Sequence, residues 1–352
     1  MPTQIKKLKN FENPIVVVNG FAGTGKTCIV NLLRHLDGIE PPVYSPEFEW
    51  FCQLWASRNI SDHMACELIR AKTDLLSYNL CHGREINWRL SDISSVSNHP
   101  NCIKYFLRGL KKDVDDSRIN AHFTAFLVTH NLLPFIEIVD SALHSRLSFI
   151  EVLRDPLYML NQSIYNQKHL FDSSSSARAA SFVYSHTGKQ IFEGDTPSEP
   201  DSMWKEGTYN FYAANAIRCL EKMISHLLKM PINYTDINCL PIFFEDFVVD
   251  PHPTLHDIEH LTALTFTSSV RKALKKEKIP RVQHDDGKAN HIYKKVGWKR
   301  IKTNSDHLSD FDRFQLLYRD QGLDDFLLDK LVDLSTSYRK WKSTYKATQS
   351  EV

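Results

Sequence analysis

The chain has 352 residues, 42% of them hydrophobic and 11% aromatic, which is enough apolar material for a large core in one elaborated domain or two. Its formal net charge of +1 offers no global field to draw in nucleic acid. Seven cysteines without a C-x-x-C spacing read as reduced thiols, residues 1–13 are short, polar and basic, and no stretch approaches the ~18 apolar residues of a membrane span, so the expectation is a soluble cytoplasmic protein with no nucleic-acid and no membrane partner.

Pro14-Ile15-Val16-Val17-Val18 predicts a strand buried on both faces. Directly after it, Gly20-Phe21-Ala22-Gly23-Thr24-Gly25-Lys26-Thr27 is a complete G-x-x-x-x-G-K-[ST] phosphate loop, and Cys28-Ile29-Val30-Asn31-Leu32-Leu33-Arg34 predicts the helix behind it. Strand, loop and helix in that order are the context the motif needs. The glycines let backbone N–H groups close around an anion, and the helix aims its positive end at the same place. Lys26 adds a mobile cation and Thr27 a hydroxyl. Gly23, Thr24, Gly25, Lys26, Thr27 and Cys28 are the expected anion-binding residues. The motif does not choose among phosphate esters.

Val43-Tyr44, after Pro41-Pro42, predicts a short strand, and residues 51–120 carry helical spacing without strand signals, as in Met64-Ala65-Cys66-Glu67-Leu68-Ile69. Further short, nearly unbroken apolar runs at 124–128, 147–153 and 241–244 predict more buried strands with helices between them. The expected fold class is α/β: a doubly wound, mostly parallel sheet carrying the P-loop, with helices on both faces and a helical insertion. One domain is expected over residues 1–352, its core strands within 14–265. Residues 172–205 form a polar excursion in which His186-Thr187-Gly188-Lys189 predicts a hairpin turn, readable as a lid or as a mobile surface segment. A long amphipathic helix over 207–230 should stop at Pro231. Residues 271–300 hold eleven Lys and Arg against Glu277, Asp285 and Asp286, which suits a solvated face or an anion-facing rim. The segment 307–346 predicts helices that pack on the core and is assigned no chemistry.

Four segments bear on the chemistry. Leu147–Leu153 runs into Arg154-Asp155-Pro156, which places an arginine at the carboxyl end of a strand, on the ligand edge of such a sheet. Its rigid fork can grip a second phosphate, and Ser163 follows on the next helix. Phe244-Glu245-Asp246-Phe247 precedes Asp250-Pro251, and Val128-Thr129-His130 ends another strand. Glu47-Phe48-Glu49-Trp50-Phe51 lies just past the second strand.

Taken in order, these segments resemble the sulfotransferase family that uses 3′-phosphoadenosine-5′-phosphosulfate (PAPS). The Arg-Asp-Pro strand end is similar to that family's 3′-phosphate site. The segment 242–251 resembles its late Tyr-Glu-Asp-Leu-like strand end, Thr129-His130 its Lys-Thr-His strand end, and Glu47 to Phe51 the Glu-x-x-Phe-Phe element of carbohydrate sulfotransferases. The resemblance implies transfer of a sulfonate in line from PAPS to a hydroxyl or amine of a carbohydrate or small-molecule acceptor, leaving adenosine 3′,5′-bisphosphate, with no metal strictly required. Lys26 and the loop amides would stabilise the leaving group. The base would be Glu47, its pKa raised near Trp50 and Phe51, or His130, with Glu49 replacing Glu47 if the strand ends one residue away. Lys294 and Lys295, in Tyr293-Lys294-Lys295-Val296-Gly297-Trp298, resemble the basic loop that closes over PAPS.

Two positions depart from the family. The loop lysine follows Gly25, as in kinases, where the family places it two residues before that glycine. The family's serine lies eight residues after the arginine, which here is Gln162, and Ser163 is ninth. A P-loop kinase or nucleoside triphosphatase using ATP-Mg, with Glu245 and Asp246 as metal ligands, is the alternative reading. A non-catalytic nucleotide-binding module is a further one. The acceptor and the oligomeric state are not written in the sequence.

Overall fold

A computed structural model of the protein describes residues 11–84, 86–92, 94–110, 123–169, 183–186, 189–192, 203–229, 237–281 and 309–350. The described strands are β1 (Ile15–Asn19), β2 (Val43–Tyr44), β3 (Ala125–Val128), β4 (Leu147–Leu153), β5 (Val183–His186), β6 (Lys189–Phe192) and β7 (Cys239–Phe243). Five of them form one sheet in the order β2-β3-β1-β4-β7, with every neighbouring pair parallel. The expected strands are all present, and the fold is α/β with helices around a parallel sheet. The order reverses at β1, between β3 and β4, and the phosphate loop leaves from that point. Crevices at such switch points are where open α/β sheets hold ligands.

The nearly unbroken apolar runs follow from burial on both faces. Ile15 and Val17 of β1 face one helical layer, and Val16 and Val18 face the other. The first layer is α2 (Glu47–Ala56), α3 (Asp62–Cys81) and α5 (Ile136–Leu143), which bring Phe48, Ile69 and Val139 to the sheet. The second is α1 (Lys26–Leu33), α8 (Phe244–Val249), α9 (Pro251–Thr262) and α10 (Val270–Glu277). Beyond the sheet's carboxyl edge, α6 (Pro156–His169), α7 (Tyr209–Lys229), α11 (Asp310–Asp320) and α12 (Asp325–Ser350) share a third cluster with Leu153 and Phe243.

The helical insertion holds α2, α3 and α4 (Cys102–Gly109) between β2 and β3. It starts earlier than expected: α2 begins at Glu47, behind Pro46, whose fixed φ suits a helix start. Phe48 and Cys52, one turn apart, are both buried against the sheet, so the Glu-x-x-Phe-Phe element lies on a helix. β5 and β6 pair antiparallel with Val183 opposite Phe192, the hairpin expected around residues 186–189. The long helix over 207–230 is α7, and the 307–346 segment contains α11 and α12 packed on the core. Residues 172–182, 187, 188 and 193–202 of the excursion and the basic stretch 282–300, with Lys294 and Lys295, lie outside the described residues.

Candidate active site

The loop spans residues 20–25 between β1 and α1. Gly25 is in the left-handed region at φ 89° and forms the N-cap of α1. A Cβ there would sit 2.2 Å from the Phe244 ring, so neither backbone nor space admits another residue. Gly20 is similarly crowded, with its Cβ position 2.7 Å from the Val152 carbonyl oxygen of β4. The Thr24 hydroxyl donates to the Phe21 carbonyl at 2.9 Å, and the Cys28 amide to Gly25 at 2.8 Å, which engages that N–H within the helix. Burial pushes the Cys28 thiol far up, so it stays protonated. The first turn of α1 carries no acidic residue and no side-chain cap. The helix start is electrostatically suited to an external anion.

Lys26 is buried, and its ammonium donates to the carbonyl of Gly20 at 2.8 Å and to that of Thr129. This ties the loop to the end of β3, where His130 follows. Asn19, the last residue of β1, reinforces the same junction. Its carbonyl oxygen Oδ1 accepts from the Thr129 hydroxyl at 2.9 Å and the Leu132 amide at 3.0 Å, while Nδ2 donates to Glu151 of β4 at 2.6 Å. Burial raises the Glu151 carboxyl to about 8, against the lowering pull of Asn19 and Lys26. The sequence reading missed both residues. Asn in a run of valines and Glu in a run of apolar strand residues were the available signals.

Arg154 reaches the loop. Its Nη1 donates to the Gly23 carbonyl at 3.1 Å, and its guanidinium lies 5.1 Å from the centre of the Phe244 ring. Arg281 approaches the same ring at 5.7 Å. Phe244 therefore lies against Gly25 and beside two guanidinium groups, a contact that no motif announced. The Asp155 carboxylate is turned away from the loop, accepting from the Leu157 amide at 2.9 Å and pairing with Arg339 of α12 at 2.7 Å. On α6 the side chains nearest Gly23 are Met159 and Gln162, with the Gln162 carbonyl 3.7 Å from the Gly23 Cβ position. Gln162, at the eighth position after the arginine, thus meets the loop, and Ser163 is the next residue round the helix.

The two expected bases differ in setting. Glu47 does not have the raised pKa expected of it. Burial pushes it up, but hydrogen bonds from Lys72 at 2.8 Å and Ser45 at 2.5 Å outweigh that and hold it below the ordinary carboxylate range. Trp50 and Phe51 do not dominate its surroundings because α2 presents Glu47 on its first turn, beside a cation of α3. Glu49 is tied elsewhere, its Oε1 accepting from the amides of His130 at 2.5 Å and Asn131 at 3.2 Å. The His130 ring meets Tyr44 edge-on at 5.1 Å. Burial, and then the Lys26 charge, hold its imidazole well below the ordinary histidine range, so it is neutral at physiological pH.

Glu245 and Asp246 point into α12. Glu245 accepts from the Asp155 amide at 2.6 Å and the Tyr338 hydroxyl at 3.1 Å, and Asp246 pairs with Lys342 at 2.7 Å and Lys346 at 2.6 Å. Among the described residues no group of three or more His, Cys, Asp or Glu is placed to hold a metal ion.

The chain matches no protein-family model, and no curated protein matches its sequence. It is similar in structure to the sulfotransferase domain from the Synechococcus PCC 7002 olefin synthase, at 13% identity over 96% of this chain and 98% of that one, with a TM-score of 0.38. The sulfotransferase domain from the curacin biosynthetic pathway gives 11% identity over 89% and 98%, TM-score 0.38. A sulfotransferase from Mycobacterium tuberculosis gives 14% identity over 75% and 71%, TM-score 0.33. Likenesses this shallow carry no weight for activity, which has to be read from the side chains.

Proposed function

We propose that the protein is a sulfotransferase that takes its sulfonate group from PAPS. One observation carries the reading most. The loop is met by a buried arginine from the end of β4, while the acidic pair that a magnesium-nucleotide enzyme would need is engaged by Tyr338, Lys342 and Lys346 of α12. A site rich in cations and short of available carboxylates suits a ligand with two separate anionic groups and no metal bridge.

The residues fit such a donor. The uncapped start of α1, with Gly23, Thr24, Gly25, Lys26 and Thr27, would hold the 5′-phosphosulfate, and Arg154 the 3′-phosphate, with Arg281 and Gln162 beside it and Ser163 as the resemblance implies. PAPS supplies an activated sulfonate whose departure leaves a phosphate. The ammonium of Lys26 stabilises charge as it develops on the bridging oxygen. The acceptor hydroxyl attacks sulfur as the bond to that oxygen breaks, and its proton passes to a base. His130 fits this role better than Glu47. The histidine follows Thr129, whose carbonyl holds Lys26, and so stands beside the loop, whereas Glu47 is a stabilised carboxylate paired with Lys72. A small-molecule or carbohydrate acceptor is proposed on the same basis.

A kinase or nucleoside triphosphatase is the competing reading, favoured by the position of Lys26 on the first turn of α1. Thermal denaturation with adenosine 3′,5′-bisphosphate, against ATP and magnesium, separates the two. A ligand at 100 times its dissociation constant adds about 2.7 kcal/mol. Stabilisation by the bisphosphate is expected. A response to ATP-magnesium with none to the bisphosphate would overturn the proposal.

A further inference from the structure

The apolar side chains of α4 point away from the protein. Ile103, Phe106 and Leu107 along the helix and Leu110 just past its end are 72, 52, 56 and 64% exposed, while Tyr105 and Arg108 are turned inward. The inward face is polar and fixed. Arg108 grips Glu40 with two bonds, at 2.6 and 3.0 Å, and also donates to the Leu80 carbonyl at 2.9 Å. The Tyr105 hydroxyl donates to the Ile39 carbonyl at 3.2 Å. The helix cannot roll its apolar face under without breaking a buried ion pair. Trp88, 44% exposed, extends the patch, its ring meeting Phe106 edge-on at 5.8 Å, and Leu90, two residues on, is 78% exposed. Two exposed cations belong to the same segments: Lys104, and Arg89, which is loosely paired with Asp92 at 3.6 Å. Glu40 and Ile39 bond and bridge to Thr124, just before β3, so the patch lies at the end of the sheet opposite the phosphate loop.

We propose that α4, with Trp88 and Leu90, docks on an anionic lipid bilayer. A short helix with an apolar outer stripe, flanking cations and a tryptophan is the composition of an element that lies in the membrane interface. A standard protein interface takes about 20–30 residues a side. With Arg89 and Lys104 the patch counts eight residues, well short of that, yet such a patch suffices for reversible, salt-sensitive insertion between headgroups. No described helix is long and apolar enough to cross a membrane, so the contact lies on the bilayer. This departs from the expectation of no membrane partner and does not depend on the loop's ligand.

The test is co-sedimentation of the full chain with vesicles of phosphatidylcholine, alone and in equal parts with phosphatidylglycerol. Binding to the mixed vesicles, weakened by salt, is expected. Phe106→Ser with Leu110→Ser should lower partitioning at least tenfold, and Lys104→Glu should lower it on mixed vesicles. Because these side chains are exposed, melting temperatures should be unchanged. Ile103→Ser as a single change serves if the double variant fails to fold. No binding to mixed vesicles, or binding indifferent to these substitutions, overturns the proposal. So does a dimer in light scattering that the same substitutions dissolve, since a second copy would then cover the patch.

Discussion

Asn19 and Glu151 face each other across β1 and β4, amide to carboxylate at 2.6 Å, at positions that the strand register pairs directly. The carboxyl is buried and raised from 4.5 to about 8. Over that interval the folded chain keeps a proton that the unfolded chain has released. The resulting stabilisation is fully present below the unfolded value and is lost as pH rises through about 8. Glu151→Gln keeps an acceptor for Asn19 and removes the titration. At roughly 1.4 kcal/mol per pKa unit, the variant should gain several kcal/mol over the parent between mildly acid and alkaline pH. Parallel melting curves across that range would refute this account of Glu151.

Gly25→Ala should abolish ligand binding and lower the melting temperature sharply. The substitution meets both a φ of 89° and the Phe244 ring. Adding Phe244→Ala removes the clash but leaves the backbone strain of ~1–2 kcal/mol. The double variant should therefore recover part of the loss relative to the expected sum. Strict additivity in denaturant titrations would show that the ring contact is not the cause.

Arg154→Ala should weaken adenosine 3′,5′-bisphosphate by about 10–100-fold, as expected for a lost charge-assisted contact of ~1.5–3 kcal/mol. Arg154→Lys should not restore it, since a point charge cannot reproduce the planar guanidinium that donates to Gly23 and lies over Phe244. Calorimetric titration reads both. Unchanged affinity in the alanine variant would remove Arg154 from the site.

The sheet was legible because strands buried on both faces are nearly continuous apolar runs, as β1, β3 and β4 are, with Ser148 and Glu151 the breaks in β4. The loop was legible because its glycines are local in sequence. What escaped depends on pairing at a distance. Asn19 and Glu151 are 132 residues apart and meet only through the register of β1 and β4. Phe244 was seen as part of a strand-end tetrad, but its position on Gly25 needs the end of β7 to turn back over the loop. Glu47 was expected to sit among aromatic rings. Its actual neighbour, Lys72, comes from a different helix, which the sequence around Glu47 cannot show.

His130→Ala should lower release of adenosine 3′,5′-bisphosphate from PAPS by ~10²–10⁴, the usual weight of a general base, with bisphosphate affinity retained. Glu47→Gln should cost far less. A panel of sugars and phenols as acceptors provides the assay. The reverse ranking would return Glu47 to the role of base.

Arg108→Ala should be among the most destabilising single changes away from the loop. It strands the Glu40 carboxylate in a site where that group is only 6% exposed, at a cost of ~3–5 kcal/mol. Glu40→Gln with Arg108→Met should be milder than either single change. Urea titration distinguishes the cases, and additive losses would argue against a coupled pair.

The links from α12 to Asp155, Glu245 and Asp246 have a temporal meaning. Tyr338, Arg339, Lys342 and Lys346 are among the last described residues, while two of the three carboxylates they meet stand where β4 and β7 pass into the loop's surroundings. During synthesis β4, β7 and the loop emerge before α12, so those carboxylates first exist without these partners. The surroundings of the loop are complete only once α12 has been made, so a nascent chain short of it lacks the brace that turns Asp155 and Glu245 away from the loop.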